Sequence, residues 1–169
     1  MKKQYKFLLL FMICALLCMG CFKASNIEIV SQSIGIKIPE SINIAYEDSH
    51  GGFLGDGETV AIIEFDESTG EEIQSEILNN KDWYNLPLSE NLNLIMYGGK
   101  KNNMNYAFNL AEKLEMPVIE NGYYFFFNRH SDRISRKDDS NIFDQHSFNF
   151  TIAVYDIDTQ TLYYLEFDT

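Results

Sequence analysis

The feature that most constrains this chain is a loop of glycines and acids between two apolar runs, in the stretch from Ile42 to Asp66. The loop, residues 48–58, holds four glycines, three carboxylates and one histidine. Before it, Ile42, Ile44 and Tyr46 occupy alternate positions, and residues 59–65 after it are rich in strand-forming side chains. Such a pattern predicts two neighbouring antiparallel strands joined by a long connection.

Residues 1–20 have the layout of an export signal. Lys2, Lys3 and Lys6 form a basic start, and an apolar run from Phe7 to Met19 follows. This run is shorter than the roughly 20 apolar residues that cross a bilayer as a helix, and it has the length of the apolar region of a signal peptide. We therefore predict that residues 1–20 are a signal peptide.

The predicted signal ends in Gly20 followed by Cys21. A small residue directly before a cysteine at this place resembles the lipobox of bacterial lipoproteins, although Cys18 stands where that family usually has Leu. The resemblance implies that the Cys21 thiol is diacylglycerylated, with fatty acids such as palmitate, and that the signal is cut before Cys21, which becomes the N-terminus. It also implies an extracytoplasmic domain anchored to the bacterial cell membrane. Residues 21–33 are then the lipidated cysteine and a tether. An ordinary secreted protein and an uncleaved N-terminal anchor are the alternatives.

Cysteine usage and charge exclude several classes of function. The chain has three cysteines, Cys14, Cys18 and Cys21, so the domain after Cys21 can have neither a disulfide nor a cysteine nucleophile. The net charge of −12 includes the three signal lysines and no signal acid, so the remainder carries −12 − 3 = −15. A domain this acidic is repelled by nucleic acid. It is predicted to stay in the aqueous layer beside the membrane.

Hydrophobic periodicity predicts one α+β domain over residues 34–169. Strands are predicted where apolar residues alternate, and helices where they recur every three or four positions. The predicted strands cover residues 34–38, 42–46, 59–65, 123–127, 148–154 and 163–167, and the helices cover 68–77, 89–97 and 103–115. The expected architecture is a two-layer sandwich, with a mostly antiparallel sheet of about six strands and two or three helices on one face.

The glycine loop is the candidate metal site. Asp48, His50, Asp56 and Glu58 offer carboxylate oxygens and an imidazole on a segment flexible enough to converge. Such a set suits a divalent ion such as calcium, manganese or zinc. Its spacing matches no established metal-binding motif, so the alternative is a wide glycine turn whose acids are solvated and which holds no cofactor.

Two further groups are candidates for contact with an envelope or extracellular protein. Arg129, Arg133 and Arg136 lie in or beside a charged segment, residues 130–146, that is predicted to be a long exposed loop. Tyr155 and Tyr164 fall on strand positions predicted to face outward. No catalytic residues are predicted, because serine and histidine occur together only as sequence neighbours, whose side chains point apart on a strand.

The function predicted from the sequence is therefore a membrane-anchored, non-catalytic binding module. A different class stays open, a metal-binding protein or small metal-dependent hydrolase centred on the glycine loop. The domain resembles the small lipoproteins that are common in bacterial genomes.

Overall fold

A six-stranded antiparallel sheet forms the centre of the molecule, in the order β1-β2-β8-β7-β6-β3. The computed structural model describes residues 24–51, 55–130 and 137–169. The sheet strands are β1 Ala45–Asp48, β2 Gly57–Glu64, β3 Trp83–Asn85, β6 Gly122–Asn128, β7 Asn149–Asp156 and β8 Thr161–Asp168. A separate hairpin is made by β4 Gly99–Lys101 and β5 Met104–Tyr106. The predicted antiparallel pairing of the strands on either side of the glycine loop is confirmed.

In the described ranges, four helices and one 3₁₀ turn accompany the sheet. They are α1 Asn26–Ile34, α2 Glu67–Asn79, α3 Glu90–Tyr97, α4 Leu110–Lys113 and the 3₁₀ turn Ile142–Asp144. The α+β class is confirmed. None of the helices in the part of the chain that the structure describes is long and apolar enough to cross a bilayer.

The N-termini of the three longer helices are capped by side chains that accept a backbone N–H. Ser25 accepts from Glu28, Asp66 from Thr69 (2.8 Å), and Ser89 from Leu92 (3.2 Å). These caps satisfy amides that have no partner within the helix. The helix predicted over residues 68–77 forms as α2, and Asp66 rather than a residue within the predicted span is its cap.

Helices lie on both faces of the sheet, whereas the sequence predicted them on one. Along β7, Ala153 and Tyr155 face one layer, and Phe150, Ile152 and Val154 face the other. The first layer contains α1 and α2, and the second contains α3 and α4. The reason is that the central strands are apolar on both faces, and both must be removed from water.

The first helix replaces most of the predicted tether. Ile27, Val30 and Ile34 are buried on one side of α1, and the chain turns at Gly35, whose φ is 67°. The predicted strand over residues 34–38 does not form, although Ile36 and Ile38 are buried beside the helix. Residues 26–34, predicted as part of the tether, therefore form a helix that packs into the domain.

The predicted helix over residues 103–115 is also wrong in its first half. Asn102 and Asn103 have φ of 50° and 63°, which suits a two-residue turn between β4 and β5. Only Leu110–Lys113 is helical. Asparagine tolerates positive φ better than most residues. The chain therefore turns at Asn102 and Asn103, and the backbone groups around the turn pair between β4 and β5 and not within a helix.

The segment over residues 130–146 was predicted to be an exposed loop, but its described C-terminal part packs against the domain. Ile142 is buried, and the Asn91 amide donates to the carbonyl oxygen of Asp139 (2.9 Å). Residues 131–136 lie outside the described ranges. The part that follows them is therefore attached to the α3 side of the sheet.

A substitution in α1 tests whether this helix belongs to the core. Ile34 is fully buried, so Ile34→Ala should lower the free energy of unfolding by about 2–5 kcal/mol. The exposed Gln32 is the matched control, and Gln32→Ala should change it by less than about 0.5 kcal/mol. Urea denaturation measures both. If residues 26–34 were only a tether, the two variants would unfold at the same urea concentration.

Candidate functional site

Ionisable side chains converge at the end of the sheet where β1 ends, β2 begins and β8 ends. His50, two residues past β1, lies between two carboxylates. Its Nδ1 is 2.7 Å from Asp48 Oδ1, and its Nε2 is 3.0 Å from Asp168 Oδ2. Asp168 is the last residue of β8, so the contact joins the glycine loop to the far end of the chain.

The backbone around the glycine loop fixes the position of His50. The Ser49 N–H donates to the carbonyl oxygen of Glu58 (2.8 Å), and the Glu58 N–H donates to Ser49 Oγ (3.0 Å). A Cβ atom added at Gly57 would lie 2.6 Å from the Cα of His50. Glycine is needed at this position because the two backbone segments pass so closely.

Geometry favours the charged form of His50. A neutral imidazole has only one N–H, so one of its two nitrogens would present a lone pair to a carboxylate. Burial disfavours the charge, but hydrogen bonds from the ring to Asp48 and Asp168 outweigh it and raise the pKa of His50. The backbone and side-chain N–H groups of His50 in turn lower the pKa of Asp48. The three groups form a half-buried ionic cluster.

Arg129 extends this cluster from the end of β6. Its guanidinium donates to Asp168 Oδ1 (2.6 Å) and to Thr151 Oγ1, and lies 3.2 Å from Glu166 Oε1. Asp168 thus bridges His50 and Arg129, one with each carboxylate oxygen. The sequence predicted Arg129 to contact a partner protein, but its charge is already matched within the domain. Arg133 and Arg136, predicted with it, lie outside the described residues.

Only two of the four predicted metal ligands are brought together. Asp48 contacts His50, but the Glu58 carboxylate binds Lys113 Nζ (2.5 and 2.6 Å), and Asp56 is exposed on the loop. Residues 24–51, 55–130 and 137–169 contain no group of three or more His, Cys, Asp or Glu side chains that could hold a metal. Metal binding by this set stays a prediction. It would require His50 and Glu58 to give up their present partners.

The predicted exposure of Tyr155 and Tyr164 is wrong. Their side chains are 1% and 0% exposed, because α1 and α2 cover their face of the sheet. Tyr155 Oη donates to the carbonyl oxygen of Gly70 in α2 (2.9 Å), and Tyr164 Oη donates to Glu166 Oε2 (3.0 Å). Burial raises the pKa of Tyr155 to about 12 and raises that of Tyr164 as well. Both are core residues with satisfied hydroxyls.

The structure also joins a serine and a histidine from distant positions. Ser147 Oγ lies 3.2 Å from His130 Nδ1, and the side chain of Asn149 lies 3.2 Å from the same nitrogen. Within the described ranges, no carboxylate contacts His130 to orient its ring. Among the residues that the structure describes, the pair therefore has no third member of a hydrolytic triad.

Sequence reasoning missed the acidic members of the cluster, Glu166 and Asp168. Glu166 and Asp168 occupy the outward positions of an alternating strand, and no neighbouring residue in the sequence indicates that they belong to a site. Their role comes from pairing across the sheet, where Asp168 stands opposite Gly57 and Asn149. The loop residues and Arg129 were found because charge or glycine content marks them locally.

The pH dependence of stability tests the charge on His50. Because folding raises the pKa of His50 above its usual 6.5, its contribution is complete below that pH and is lost as the pH rises through the folded pKa. As the pH rises above 6.5, the free energy of unfolding should fall in the native protein and fall less in His50→Gln. Urea denaturation at increasing pH measures it. His146→Gln, an exposed control, should keep the native slope. Equal slopes in all three proteins would contradict the ionic cluster.

The chain was also compared with known proteins. No family model, curated protein or solved structure matches it significantly.

Proposed function

We propose that this chain is a lipid-anchored, extracytoplasmic binding module without catalytic activity, attached to the bacterial cell membrane through Cys21. The basic start, the apolar run and Gly20-Cys21 support the anchor. These residues lie outside the described part of the chain, so the support is from sequence. The partner proposed for the module is another envelope or extracellular protein.

The observation that carries this proposal is Gly20-Cys21 directly after the apolar run, and the position of α1 sets how far the anchored domain would lie from the membrane. Cys21 is five residues before Asn26, the first residue of α1, and α1 is packed into the core. Five extended residues span at most about 18 Å. A domain anchored at Cys21 would therefore be held directly beside the lipid headgroups. Its charge of −15, from −12 − 3, favours neutral or basic partners over anionic lipid.

The pairing of reactive groups supports a non-catalytic role. His50, Arg129 and Lys113 each bind a carboxylate of the domain. A general acid or base needs access to a substrate proton. These groups instead stabilise the end of the sheet and the loop that leads from it.

Cell fractionation tests the anchor. The native protein should be found with the membrane fraction, and Cys21→Ala should lose the lipid and with it stable membrane association. Mass spectrometry of the N-terminal peptide should show diacylglycerol and acyl chains on Cys21 in the native protein alone. Cys14→Ala is the matched control, since it removes a thiol of the apolar run outside the lipobox and should leave lipidation intact. A native protein without lipid on Cys21 would contradict the proposal.

A further inference from the structure

We draw no further inference here: the strongest candidate, the apolar groove between α3 and residues 117–120 that is lined by Tyr97, Val118 and Ile119, carries no proposal because nothing in the part of the chain that the structure describes shows what covers it.

Discussion

The fold depends on the burial of both faces of the central strands. In β7, every residue after Asn149 is buried, and half of the residues of β8 are buried beside it. Two layers are therefore required to cover one sheet, and α1 is part of the first. Burying Ile27, Val30 and Ile34 contributes about 1.5–3 kcal/mol each before entropy is counted. Since domains of this kind have net stabilities of about 5–15 kcal/mol, the fold cannot spare this helix.

Because both faces of the sheet are buried, several polar groups are enclosed in the fold and pair within the domain. Tyr155 and Tyr164 are buried with the sheet face, and each hydroxyl has an acceptor within the domain. At the sheet end, where the helices no longer cover the strands, Asp168 is shared by His50 and Arg129. Half-buried charges are stable there because each carboxylate oxygen has a cationic donor. His50, Arg129 and Asp168 therefore stabilise the end of the sheet through contacts with one another.

Much of the sheet could be predicted from local pattern. Alternation located β7 and β8, runs of apolar strand-forming side chains located β2 and β6, and the predicted helix over residues 89–97 forms as α3. The helix α1 was missed because Ile34, Ile36 and Ile38 also alternate, and that pattern hid the helical spacing of Ile27, Val30 and Ile34. Alternation assigns every second residue of a strand to solvent, and this placed Tyr155 outward. Both faces of β7 are buried, so that assignment was wrong. The partners of His50 could not be predicted, since Asp168 is 118 residues away in sequence.

Because the central strands are buried on both faces, the account depends on α1 being part of the layer that covers one of them. Hydrogen exchange of backbone amides tests this directly. The account predicts that the amides of residues 30–34 in α1 exchange as slowly as those of Ile152 and Leu165 in the central strands. Fast exchange throughout α1, with slow exchange at Ile152 and Leu165, would mean that this helix does not cover the sheet and would contradict the account.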